Sequence, residues 1–253
     1  MSKEFRSEIS KLPGTFGDSD VRLSRLYPAC PNGVHVLLLH GVHSSANLSP
    51  RNKFSYLAQI LAEHGITPWL CETSRRAVNK DNYAGDLRAW ITDAFGGKSY
   101  PDERADCEAA LSVALSQRPD ALWLWGFSLG GIIALDIAAS HAVDRVVLSG
   151  TGLVAVPEAE RDMIPLPILS TLRANTSEEM LGRIKSRDVV LFRGTCDEIF
   201  SEAACLEMLS SIKLPEKNKK YFPIEGADHS LRMRCGRRDQ TIMDEMLDLL
   251  LGV

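Results

Sequence analysis

Ser128 stands between two glycines in Gly126-Phe-Ser-Leu-Gly130, directly after the apolar run Ala121-Leu-Trp-Leu-Trp125 and directly before a helix-forming run. This spacing predicts a tight strand-to-helix turn with one hydroxyl at its tip. Glycine at 126 and 130 removes the Cβ atoms that would collide where the backbone doubles back. The amides opening the new helix point toward the same place. A serine held this way is exposed as a nucleophile, and it needs a base and an orienting acid.

A base that accepts a proton near neutral pH is most simply a histidine. His229, in the loop Glu225-Gly-Ala-Asp-His-Ser-Leu231, follows the last strand signal and falls on the same sheet edge as Ser128. His35 lies inside a strand and is read as structural, while His64 and His141 sit near helix ends. For the acid, Arg193-Gly-Thr-Cys-Asp-Glu-Ile-Phe200 offers Asp197 where the chain leaves a strand. From there its carboxylate can reach the Nδ1 hydrogen of an imidazole. Glu198 and Asp228 are the alternative carboxylates.

The elements that must position these residues alternate between strand and helix from about residue 34 onward, the pattern of a mostly parallel sheet with helices on both faces. Strands are expected at Val34–Leu39, Ile66–Cys71, Ala121–Phe127, Arg145–Ser149, Asp188–Phe192 and Lys219–Pro223, where Pro223 marks an end or an edge. Asp20–Leu26 reads as an antiparallel edge strand. Helices are expected at Phe54–His64, closed by Gly65, then at Tyr83–Phe95, Asp102–Gln117, Leu129–Ser140 and Asp239–Leu251. About eight strands result, in one α/β domain spanning 1–253, with a short lid at about 151–187. Ile164, Leu166, Ile168 and Leu169 give that lid an apolar lining.

With Ser128, Asp197 and His229 in that chain order, each at a strand end, the sequence resembles the α/β-hydrolase superfamily. The resemblance runs from His40-Gly41 to the His229 loop. It implies Ser128 as nucleophile, His229 as general base and then acid, and Asp197 as the orienting carboxylate. It also implies an oxyanion hole made by the backbone amides of Val42 and Leu129, with His40 bracing that loop and His43 one residue beyond it. Many relatives carry an Asp-x-Arg-Gly-His-Gly type turn after the next strand. Cys71-Glu-Thr-Ser-Arg-Arg-Ala77 replaces it here, so no close subfamily is indicated. Arg51, Lys53, Arg75 and Arg76 lie in the loops beside this edge and are candidates to receive a carboxylate or phosphate of an acidic substrate, Arg51 and Arg75 foremost, and His43 is a further candidate substrate contact.

Composition limits the remaining possibilities. Over 253 residues the formal net charge is −4, which gives no reason to expect a nucleic-acid partner. No apolar run is long enough to span a bilayer, and the polar start lacks a signal-peptide core, so a cytoplasmic protein is expected. Six scattered cysteines without a Cys-x-x-Cys pair read as reduced thiols, and His40-Gly-Val-His43 lacks further metal ligands nearby. No metal or cofactor is expected. The expected activity is hydrolysis of an ester or thioester of a small to medium acyl substrate. An acyltransferase, or a non-catalytic ligand-binding protein on the same fold, is the alternative.

Overall fold

Six parallel strands carry the architecture: β3 (Val34–Leu39), β4 (Thr67–Glu72), β5 (Ala121–Phe127), β6 (Val143–Ser149), β7 (Ser186–Cys196) and β8 (Lys219–Asp228). The structure is a computed structural model that describes residues 5–16, 20–75, 85–162 and 166–252; Arg76, Tyr83 and Ile164 lie outside them. With β1 (Arg6–Pro13), β2 (Asp20–Tyr27), β9 (Met233–Arg234) and β10 (Arg237–Arg238), the sheet has ten strands rather than about eight. Their order is β1-β2-β4-β3-β5-β6-β7-β8-β9-β10.

The central strands are nearly continuous in buried apolar residues because helices cover both faces. Val36, Leu38, Trp123 and Trp125 pack against α1 (Lys53–Glu63) and α9 (Thr241–Leu251). Leu37, Leu39, Leu122 and Leu124 face α3 (Tyr100–Ser116) and α4 (Leu129–Ser140). Each such fully buried side chain contributes roughly 1.5–3 kcal/mol by leaving water, before the entropy of ordering the chain is subtracted. Helix α4 is buried on nearly every side, so its start cannot shift without disturbing the core. Local signals fix the helix ends. Asn52 caps α1 through the Phe54 amide, and Gly65, at φ 78°, ends that segment in the left-handed region. Ser99 and Asp102 form a capping box at the start of α3, with Pro101 inside the first turn.

Register aligns the carboxyl ends of the strands. Leu39 pairs with Gly126, Phe127 with Ser149, Ser149 with Phe192, and Cys196 with Asp228. The residues that follow these ends therefore share one sheet edge. One sequence expectation changes here. β2 is not an edge strand, because β1 pairs with it antiparallel over its whole length. β8 continues through Pro223 to Asp228, and only its Ala227 meets β9 on the open side, so the missing proline amide breaks no ladder there. The described part of the segment expected as a lid holds two short helices, α5 (Pro157–Asp162) and α6 (Pro167–Asn175), before α7 (Glu178–Leu181) and α8 (Glu202–Ser211), while α2 (Leu87–Phe95) comes between β4 and α3.

Candidate active site

Ser128 occupies a backbone conformation, φ 53° and ψ −117°, that a non-glycine residue adopts only under constraint. Two hydrogen bonds hold it. The Ser128 amide donates to the Ser149 carbonyl at 2.9 Å, and the Ser128 carbonyl accepts from the Gly131 amide at 2.9 Å. The flanking glycines are sterically required: a Cβ on Gly126 would sit 2.1 Å from the Gly130 carbonyl oxygen, and one on Gly130 would sit 2.4 Å from that of Leu39. The turn therefore holds the Ser128 hydroxyl at the head of α4.

His229 follows β8 and Asp197 follows β7, and the parallel pairing of those strands brings the two side chains together. His229 Nε2 lies 3.1 Å from Ser128 Oγ, and its Nδ1 lies 3.1 and 3.0 Å from the two carboxylate oxygens of Asp197. The Asp197 side chain is fully buried, whereas that of His229 is 24% exposed toward the cavity. Asp197 Oδ1 also accepts from the amides of Ile199 at 2.8 Å and Phe200 at 3.0 Å. Arg193 clamps the same turn, donating to the carbonyls of Phe200 at 2.9 Å and Asp197 at 3.3 Å. Gly150, at φ 56°, admits the His229 backbone, since a Cβ there would lie 2.5 Å from the His229 carbonyl oxygen. A buried carboxylate on Nδ1 directs the imidazole lone pair at Nε2 toward the serine. Glu198 is exposed, and Asp228 is occupied by the Ser230 hydroxyl and the amides of Arg232 and Met233.

The loop after β3 closes over the serine. A Cβ on Gly41 would lie 3.2 Å from Ser128 Cβ, so glycine allows the close approach. The amides of Val42 and Leu129 have no hydrogen-bond acceptor among the described residues. Beside Ser128, they are donors free to serve an oxygen that becomes negative. Arg75 braces this loop from behind. It is 7% exposed, donates to the carbonyls of Gly41, at 3.1 Å, and Val42, and pairs with buried Glu103 at 2.9 Å. The expectation that Arg75 meets an anionic substrate is thereby corrected, because its charge is spent on Glu103 and the loop carbonyls. His40 packs between Arg75 and Thr73, and burial, reinforced by the Arg75 charge, lowers its pKa and holds it neutral.

A cavity of about 1230 Å³ opens onto Ser128. Leu129, Ile132, Leu169, Leu172 and Phe200 give it an apolar wall, with α6 supplying two of these residues. Asn47, Ser49, Arg51, Lys53 and Arg232 line another part. His43 also faces the cavity, stacked on Trp90 at 6.5 Å and meeting the edge of Phe95 at 5.9 Å. Among the described residues no group of three His, Cys, Asp or Glu side chains could hold a metal ion, and no helix is long and apolar enough to cross a membrane.

Solved structures share this arrangement of elements. An α/β serine hydrolase homologue from Coxiella burnetii superposes with a TM-score of 0.64 at 16% identity, covering 97% of this chain and 96% of its own. The chain has the α/β-hydrolase fold. A lidless α/β serine hydrolase from Xanthomonas campestris matches at TM-score 0.62 and 19% identity over 98% of this chain and 93% of its own. Est1E from Butyrivibrio proteoclasticus gives 0.65 and 13% identity over 96% and 99%. No protein-family model matches the sequence, and no curated protein does. At identities this low, the likeness to these structures is one of fold.

Lys53, one of the loop cations considered for an anionic substrate, lines the cavity from the start of α1. Sequence reasoning missed Arg232, which falls in a turn after the His229 loop, where nothing in its spacing distinguishes it from the neighbouring Arg234, Arg237 and Arg238.

Proposed function

We propose that this chain is a serine hydrolase that cleaves an ester or thioester of a small to medium acyl substrate through an acyl-enzyme on Ser128. The observation that carries the reading is the continuous contact from Ser128 Oγ through His229 to buried Asp197, each link about 3 Å long. In the first half-reaction, Ser128 Oγ attacks the carbonyl carbon and His229 Nε2 takes the hydroxyl proton. Asp197 stabilises the imidazolium without itself being protonated. The carbonyl oxygen becomes an oxyanion and accepts from the Val42 and Leu129 amides, an effect worth roughly 3–4 kcal/mol per donor in comparable sites. The tetrahedral species collapses, its bond to the leaving oxygen or sulfur breaks, and His229 hands that atom the proton. Water then attacks the acyl-serine, losing its proton to His229, and the acid departs with Ser128 reprotonated.

The apolar wall of Leu129, Ile132, Leu169 and Leu172 would receive the acyl chain, and the short lid leaves the mouth open to a leaving group. Hydrolysis of matched p-nitrophenyl esters and acyl thioesters from two to twelve carbons tests the reading. Ester or thioester turnover that peaks at short to middle lengths and vanishes in Ser128→Ala supports it. Turnover by the pure protein that survives Ser128→Ala refutes it. Faster acyl transfer to an added alcohol than to water would make the protein a transferase instead.

A further inference from the structure

The cavity is built from two unlike halves lying on opposite faces of the sheet edge. Leu129, Ile132, Leu169, Leu172 and Phe200 pack on the core shared with α3 and α4. The other half rests on the α1 and α9 core, where Phe54, Phe127 and Leu231 are buried. On this second half, Arg51, Lys53 and Arg232 reach the cavity, and none of the three has a carboxylate within 4.0 Å among the described residues. Elsewhere in this chain, whose formal net charge is −4, Arg104, Arg145 and Arg234 each pair with carboxylates.

Lys53 is the fixed member of the group. Its Nζ lies 3.9 Å from the Phe127 ring centroid and donates to the Ser230 carbonyl at 2.6 Å. An ammonium has three donors, and this carbonyl accepts one. Burial, reinforced by the nearby Arg232 charge and only partly offset by Asp228, lowers the Lys53 pKa to about 7. Asp228 is itself held by the loop amides and the Ser230 hydroxyl. Asp228 is thus the carboxylate near Lys53 and Arg232, and an anion seated beside these basic side chains would favour the ammonium form of Lys53. The two acids that also line the cavity, Glu158 and Glu198, belong to the lid and to the Asp197 loop.

Resting on the hydrolase reading above, we propose that Lys53, Arg51 and Arg232 form a subsite for an anionic group, phosphate or carboxylate, carried by the leaving group of the substrate. The side is set by the chemistry: His229 must protonate the leaving atom, and Lys53 grips Ser230, the residue after His229. The reaction is then an acyl ester plus water giving a carboxylic acid and an alcohol or thiol that bears the anion. The acyl–oxygen or acyl–sulfur bond breaks, and the leaving atom takes its proton from His229.

The test compares butyryl esters of three phenols, one neutral, one bearing a carboxylate and one bearing a phosphate, with a neutral phenyl ester of succinate that carries its anion on the acyl side. The readout is the ratio of kcat/KM for the anionic over the neutral leaving group within each protein, so a general loss of activity cancels. Charge-assisted contacts of this kind support a preference of roughly tenfold or more for the better-fitting anionic leaving group, and the carboxylate and phosphate arms distinguish which. Lys53→Met and Arg232→Gln should each cut that ratio several-fold, and 0.5 M salt should cut it in the parent. A ratio near one in the parent, an equal gain with the succinyl ester, or a ratio unchanged in both variants overturns the subsite and leaves the hydrolase reading intact. Failure of the parent to hydrolyse any ester, with no fluorophosphonate labelling of Ser128, overturns the reading on which it rests.

Discussion

Replacing Arg75 by methionine should separate two roles that a single variant would confuse. Arg75 and Glu103 are buried, at 5% and 1% side-chain exposure, and lie 2.9 Å apart. Without Arg75, the Glu103 carboxylate keeps, among the described residues, only the Thr73 hydroxyl at 3.0 Å. An uncompensated buried charge of this kind costs about 3–5 kcal/mol, a large share of the ~5–15 kcal/mol that holds a typical domain folded. The double variant Arg75→Met with Glu103→Leu removes both charges, and its stability should return to within about 2 kcal/mol of the parent. Activity should not return with it. Gly41 and Val42 lose the guanidinium that fixes their carbonyls, so the Val42 amide is no longer held beside Ser128. Loss of one oxyanion donor lowers kcat about 10²–10³-fold, and a displaced one should approach that range. Urea unfolding at pH 7.5 and kcat on a short p-nitrophenyl ester measure the two effects separately. A double variant with parental kcat would refute the bracing role. An Arg75→Met protein within 1 kcal/mol of the parent would refute the buried-charge reasoning.

Two further perturbations test the supports of the site. Gly126→Ala places a methyl 2.1 Å from the Gly130 carbonyl oxygen, so the turn must open, and urea unfolding should show a loss of at least about 3 kcal/mol. His35 accepts from the Trp69 indole at its Nδ1, 3.2 Å away, and burial, aided by Arg25, lowers its pKa to about 4. Between pH 6.5 and 4 the unfolded chain therefore binds a proton that the folded chain refuses, so this group's contribution to stability falls as pH falls. From pH 7 to pH 5 the loss from His35 alone is about 2 kcal/mol, and it is complete below about pH 4. His35→Gln keeps an acceptor for Trp69 without a titrating ring. Its unfolding free energy should drop less than the parent's over that interval, and an equal drop would reject the assignment.

The chemistry-bearing positions were legible because each is tied to a local backbone requirement. Gly126 and Gly130 report a turn that tolerates no Cβ, and Asp197 and His229 each leave a strongly apolar strand whose parallel pairing sends its end to one edge. What escaped the sequence depends on long-range partners. β1 has only Ile9 and Leu12 as large apolar residues among polar neighbours, and it is a strand because β2 offers it an eight-residue ladder. Arg75 looked like a loop cation since its neighbour Glu103 lies 28 positions away, inside a helix whose periodicity marks it as an ordinary surface acid. Lys53 is similar: its carbonyl partner, Ser230, is 177 positions distant. A charge's function is set by what it faces, and no window of sequence contains that.

Reaction of the folded protein with a fluorophosphonate, followed by peptide mass mapping, addresses the central claim without requiring the natural substrate. A single adduct is expected on the peptide that contains Ser128. It should be absent from Ser128→Ala and greatly slowed in His229→Ala, because the hydroxyl then lacks its base. No adduct on folded protein, or an adduct elsewhere that persists in Ser128→Ala, contradicts the assignment of Ser128 as the nucleophile.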